Sequence, residues 1–190
     1  MQKILLVVCI SIMLGAAAPA ISASGANQLR GANDLFAKGK YQEALQAYQT
    51  LLNVRLPGIS EGMLYTRIAD SYFHLEEYAK AHAAYRAALD VQDNSDKPQT
   101  QYWIGFCMLL MGKHQEAVAE FLKIPEQYPD SGMWVHTAYY WAGRVCERMG
   151  NKELASKYFL KAGGAGKSVE GRFALEKAKN AKNKKAHSDQ

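Results

Sequence analysis

The chain has 190 residues, with 23 Lys/Arg against 18 Asp/Glu and a formal net charge of +5. The excess is local: residues 24–166 carry fifteen basic and fifteen acidic side chains, residues 167–190 seven and three. A neutral body with a basic end lacks the cationic face of a nucleic-acid-binding domain, and no stretch beyond the N-terminal segment is long and apolar enough to span a bilayer.

Residues 1–23 read as a secretory signal peptide. Lys3 gives a positive start, Ile4 to Leu14 is apolar apart from Ser11, and small residues follow up to two candidate cleavage points, Ala20 and Ala23, of which the second is preferred. The apolar run is too short for a membrane anchor. The mature protein is therefore expected to be exported, to the periplasm first and otherwise to the medium.

Eight helices are expected next, in four pairs, at about 26–38 and 41–54, 61–75 and 78–91, 97–111 and 114–125, and 132–149 and 152–162. The pairs form four repeats, at about 26–56, 61–93, 97–129 and 132–163. Their register comes from four matching segments, Gly39 to Ala44, Glu76 to Ala81, Gly112 to Ala117 and Gly150 to Ala155, whose closing alanines stand 37, 36 and 38 residues apart.

Four residues after each alanine is an aromatic: Tyr48, Tyr85, Phe121, Phe159. Three further come Leu51, Ala88, Ile124 and Ala162, so each second helix has one buried stripe. Seven residues before each turn is a small residue, Ala32, Ala69, Gly105 or Gly143. It is expected to face the alanine and let the two helix backbones approach, with the aromatic filling the wedge between them.

Gly39, Gly112 and Gly150 suit turns that a side chain resists, which makes the Glu76 turn the least comfortable of the four. Pro125 is expected to kink or end its helix. A last helix over residues 167–182 would cap the stack with Phe173, Leu175 and Ala178, ahead of a basic, disordered tail at 183–190. That tail offers a weak contact to anionic envelope components.

The pattern of small residue, Gly or Glu, Tyr, Ala, aromatic and small residue resembles the tetratricopeptide repeat. The insert from Ile124 to Ser131, followed by Ala138 to Gly143, resembles the bacterial envelope variant of that repeat. It is similar to the repeats of the Tol-Pal coordinator protein and of the outer-membrane assembly lipoprotein. The resemblance implies an all-α, right-handed superhelical solenoid of four hairpins, whose first helices line a concave groove for a protein or peptide partner.

By that resemblance the groove positions include Asn33 and Phe36; Asp70, Phe73 and His74; Tyr102, Phe106 and Leu109; and Tyr140, Arg144 and Arg148. The third set is too apolar for an ordinary solvated face. Phe73, Tyr102, Phe106 and Tyr140 are expected to form an apolar floor, with Arg144 and Arg148 receiving an acidic or C-terminal group; packing within the stack is the competing explanation for the same stripe. The five-residue carboxylate clamp of one subclass is incomplete, since only Asn33 matches it.

No motif points to catalysis, a metal or a cofactor. Gly163 to Ser168 has a glycine-rich look, but Lys161 stands where a phosphate loop requires glycine and a helix stands where it requires a strand. The five histidines have no metal-ligand spacing. Cys107 and Cys146 are expected as buried thiols, with a bridge between them left open. The function expected is a partner-binding scaffold in cell-envelope assembly or maintenance; the alternative is an export-coupled chaperone for a secretion or pilus subunit.

Overall fold

A computed structural model describes residues 23–163 and Glu176. The expected signal peptide up to residue 22, nearly all of the capping helix at 167–182 and the tail at 183–190 lie outside the described residues. Within them are eight α-helices: α1 (Ala23–Ala37), α2 (Tyr41–Val54), α3 (Glu61–His74), α4 (Tyr78–Val91), α5 (Lys97–Leu110), α6 (His114–Gln127), α7 (Met133–Arg148) and α8 (Lys152–Gly163). The described residues contain no strand, and none of their helices is long and apolar enough to cross a membrane.

Each pair closes in the same way. Gly39, Gly112 and Gly150 sit at φ of 74°, 75° and 79°. The amide after each donates to a carbonyl of the preceding helix, as Lys113 N–H does to Met108 at 2.9 Å and Asn151 N–H to Cys146 at 2.9 Å. This is the left-handed helix stop that satisfies otherwise orphaned carbonyls. The second turn makes the same bond, Glu77 N–H to Tyr72 at 2.9 Å, with Glu76 forced to φ 60°. A side chain in that region costs about 1 kcal/mol or more. Glu76→Gly is therefore expected to raise stability by up to about 1 kcal/mol, read as a higher urea midpoint; a lower midpoint would show that the Glu76 side chain contributes more than its backbone costs.

Consecutive helices pack on one another throughout, and α5 also touches α7. The repeat positions form the core: Ala44, Ala81, Ala117, Tyr48 and Phe121 are 0–1 % exposed, and Tyr85, Phe159 and Ala155 are likewise buried. In the last two pairs the small residue of the first helix lies against the aromatic ring of the second. A Cβ on Gly105 would stand 2.8 Å from Phe121 Cδ1, and one on Gly143 would stand 2.7 Å from Phe159 Cδ1. The glycine makes room for the aromatic ring itself, four residues beyond the alanine.

Pro125 does not end α6, which runs on to Gln127. It sits in the last turn, where losing one N–H forfeits one helical bond, and the turn is closed behind it by Tyr128 N–H donating to the Ile124 carbonyl at 2.8 Å. The junction between the second and third pairs is joined by a side chain. Gln92 Nε2 donates to Thr66 Oγ1 at 2.8 Å, and Gln92 Oε1 accepts from Thr100 Oγ1 at 2.7 Å, tying the end of α4 to both α3 and α5. Gly62 leaves the space for it, since a Cβ there would meet Gln92 Cγ at 2.8 Å.

Candidate functional site

The first helices α1, α3, α5 and α7 carry a chain of aromatic rings from one pair to the next. Phe36 meets His74 edge-on at 5.4 Å, and His74 lies parallel to Tyr41 at 4.3 Å. Phe73 meets Trp103 at 5.2 Å and Phe106 at 6.2 Å. Tyr102 lies 5.7 Å from Phe106 and 5.6 Å from Trp134. Phe106 meets Trp141 edge-on at 4.8 Å, and Tyr140 lies 5.9 Å from Trp141. Offset and edge-on pairs at these distances are the favoured aromatic geometries.

Of the four rings expected as an apolar floor, Phe73, Tyr102 and Phe106 are brought into direct contact. Tyr140 joins them through Trp141. The repeat offsets that mark Tyr102 and Tyr140 do not mark Trp103, Trp134 or Trp141. The signal available was their position one residue from Tyr102 or Tyr140, or at the start of α7, where a large ring straddles the core edge. Apart from His74, which is exposed, these rings are half-buried, so each packs within the stack and remains partly accessible. Leu110, at the end of α5, is 42 % exposed, and Met149, at the end of α7, 38 %.

Asn33 and Asp70 have a structural duty that the groove assignment did not include. Tyr48 Oη donates to Asn33 Oδ1 at 2.7 Å, and Tyr85 Oη donates to Asp70 Oδ1 at 2.7 Å. Each fixes a second helix to the first helix of its own pair. In the third and fourth pairs the aromatic is phenylalanine, which has no hydroxyl to donate, and the equivalent positions are Phe106 and Arg144.

Burial pushes the Asp70 carboxyl above the usual aspartate value, with the Tyr85 hydrogen bond, Arg67 and His74 pulling the other way; Arg67 Nη1 lies 3.5 Å from Asp70 Oδ2. A carboxyl raised in the folded state contributes stability that is fully present below its unfolded pKa. That stability is lost as pH rises through the folded one. Asn33 shows that a neutral amide accepts the same tyrosine bond. Asp70→Asn is therefore expected to melt slightly higher than the native chain at neutral pH, with the gap closing in acid below the ordinary aspartate range; a gap that widens on acidification would contradict the burial argument.

Near the last pair, Leu109, Trp141, Arg144, Val145, Glu147 and Arg148 line a cleft of about 270 Å³. Arg144 donates from Nη1 to Tyr140 Oη at 3.4 Å, and its Nε lies 3.7 Å from Glu147. A second cleft, of about 460 Å³, lies between the loop before α5 and the loop before α7 and has a mixed lining that includes Asn94, Pro98, Tyr128 and Asp130.

Cys107 and Cys146 are free and buried; burial pushes the Cys107 thiol up to about 12, which keeps it protonated and unreactive near neutral pH. Among the described residues no group of three or more His, Cys, Asp or Glu is placed to hold a metal ion. Among the same residues, the buried Nδ1 atoms of His114 and His136 have no hydrogen-bond partner.

Residues 66–132 and 136–162 match two family models, each described as tetratricopeptide repeat. The sequence has no match among curated proteins. Among solved structures the chain is similar to YrrB, described as a TPR protein with an unusual peptide-binding site, at 21% identity over 80% of this chain and 75% of that one, with a TM-score of 0.62. A tetratricopeptide repeat protein from Parabacteroides merdae aligns at 15% identity over 85% of this chain and 61% of its own, with a TM-score of 0.68. The Rap conjugation gene regulator of the plasmid pLS20, solved with the Phr* peptide, aligns at 20% identity over 83% of this chain and 47% of its own, with a TM-score of 0.60. These matches establish tetratricopeptide repeats within an all-α helical-repeat fold. The first pair, α1 and α2, lies outside the matched residues yet closes with the same left-handed turn, at Gly39, and buries Tyr48 at the repeat's aromatic position.

Proposed function

We propose that this protein is an exported scaffold which holds a protein or peptide partner on the surface lined by α1, α3, α5 and α7, in cell-envelope assembly or maintenance. The observation that carries the reading is the aromatic chain from Phe36 to Tyr140, which retains exposed edges along four consecutive first helices. Aromatic rings of this kind are where interfaces concentrate their binding energy. YrrB and the Rap regulator are described as binding peptides, which is consistent with this use of the repeat. Export rests on the signal-like residues 1–23, and the envelope role on the resemblance of the Ile124 to Gly143 region to envelope-type repeats.

Two measurements test the reading. A photo-crosslinking amino acid at Tyr102 is expected to trap a discrete partner in intact cells, whereas the same group at Arg86, exposed on the second helix α4, traps none. Alkaline phosphatase fused behind residue 163 is expected to be active outside the cytoplasm and to lose that activity when residues 2–20 are deleted. Equal crosslinking from both faces would remove the groove, and activity unaffected by the deletion would remove export.

A further inference from the structure

We infer that the second cleft, between the loops that precede α5 and α7, binds a neutral oligosaccharide. It shares no residue with the aromatic surface described above, and its ligand is additional to the protein partner proposed there. At about 460 Å³ it falls within the roughly 300–1,000 Å³ of small-molecule sites.

The lining is built twice. Asn94 and Ser95 stand thirteen and fourteen residues after Ala81, and Asp130 and Ser131 stand at the same distances after Ala117. All four line the cleft, so one loop repeats the polar pair of the other a single repeat further along. At the first junction those positions hold Pro57 and Gly58, which have no side-chain donor or acceptor. A polar pair repeated along the stack matches a ligand whose own groups repeat along a chain.

The residue types narrow that ligand. The lining has one carboxylate, Asp130, and no Lys, Arg or His, so an anion finds no counter-charge. Among the described residues no acidic group is placed to hold a metal ion. Asn94, Ser95 and Asp130 are exposed, and among the described residues their side chains make no hydrogen bond or ion pair. The Asn94 amide donates and accepts, Ser95 does either, and Asp130 accepts. A sugar hydroxyl, donor and acceptor at once, satisfies each of them.

Tyr128 and the two prolines add apolar surface for the C–H face of a sugar ring. A proline-rich peptide instead docks in grooves lined by aromatic rings. This cleft has one such ring, and five of its eight lining residues carry an amide, aliphatic hydroxyl or carboxylate. The Asp130 loop is also set before a ligand arrives. Ser131 donates from its N–H, at 3.0 Å, and from its Oγ, at 2.7 Å, to the Tyr128 carbonyl, which lowers the ordering cost of binding.

The test titrates the full chain, labelled with nitrogen-15, and follows its amide resonances. The probes are β-1,4-linked tetrasaccharides of glucose and of N-acetylglucosamine, the two monosaccharides, and hexaproline. At least one tetrasaccharide is expected to move the resonances of residues 94–98 and 127–131, and to bind at least about tenfold more tightly than its monosaccharide, because it engages both polar pairs. Asn94→Ala with Asp130→Ala should weaken that binding at least about tenfold without moving the melting curve, since both side chains are exposed.

No shift from either tetrasaccharide at millimolar concentration, shifts confined to other residues, or a monosaccharide that binds as tightly as its tetrasaccharide would each overturn the inference. So would native binding by the double variant, or hexaproline moving these resonances where the sugars do not. None of these outcomes touches the first-helix surface, which the Tyr102 crosslink tests by itself.

Discussion

Phe121→Ala is expected to cost about 3–5 kcal/mol of stability, the range for a buried aromatic cut to alanine. Phe121 is 0 % exposed, and its ring occupies the space that a Cβ on Gly105 would enter at 2.8 Å. Gly105→Ala alone should cost about 1–3 kcal/mol by overpacking, because the atoms it meets belong to a ring wedged in the core.

The informative measurement is the double variant. With Phe121 already alanine the obstruction is gone, and Gly105→Ala should become favourable by up to about 1 kcal/mol, since alanine is the better helix former. The sign of the glycine substitution thus reverses with its neighbour, a coupling that urea titrations of the four chains would measure. An equal cost of Gly105→Ala in both backgrounds would mean that the glycine serves something other than the ring. The same reversal is expected for Gly143 and Phe159, whose approach is 2.7 Å.

That coupling also marks where the sequence was legible. A spacing of 36 to 38 residues, with alanine, aromatic and small residue at fixed offsets, determines which residues of each helix share a buried face. The observed helix ends accordingly lie within about three residues of those expected. The turns were legible for the same reason: three glycines and one glutamate at a single repeat position imply a left-handed conformation, and Glu76 adopts it.

Which neighbour a face meets is another matter. The ring of Phe121 lies on Gly105, sixteen residues back, and Tyr85 reaches Asp70 across fifteen; neither pairing follows from the periodicity of one helix. The repeat offsets alone do not separate Asn33 and Asp70, which accept the hydroxyls of the second-helix tyrosines Tyr48 and Tyr85, from Phe106 and Arg144, whose second-helix aromatics are phenylalanines. Trp141 carries no such mark because a residue about 100° round the helix from Tyr140 lies between the expected core and the expected surface, where a large ring belongs to both. The Gln92 bridge left no pattern at all, since it depends on side chains from three helices meeting at one point.

Trp103→Ala should have the second-largest effect, and on two measurements at once. The indole lies nearly parallel to Tyr85 at 6.3 Å and edge-on to Phe73 and Tyr102 at 5.2 Å each. It therefore joins α3, α4 and α5 where the second pair meets the third. In a stack whose units touch only their neighbours, the loss at one junction is not made good elsewhere.

Because Trp103 is half-buried, its removal is expected to cost about 2–3 kcal/mol, below the 3–5 kcal/mol of a fully buried ring. Trp103→Phe should recover most of it, keeping the Phe73 contact at a cost under about 1.5 kcal/mol. Partner crosslinking from Tyr102 should follow the same order, native above phenylalanine above alanine, because Phe73, Tyr102 and Phe106 all rest on this ring. If the alanine variant loses stability but crosslinks as well as the native chain, Trp103 is a packing residue alone and the ligand contacts lie elsewhere on the ladder. If it crosslinks poorly while melting like the native chain, the ring is a direct contact and the junction is held by backbone packing of α4 on α5.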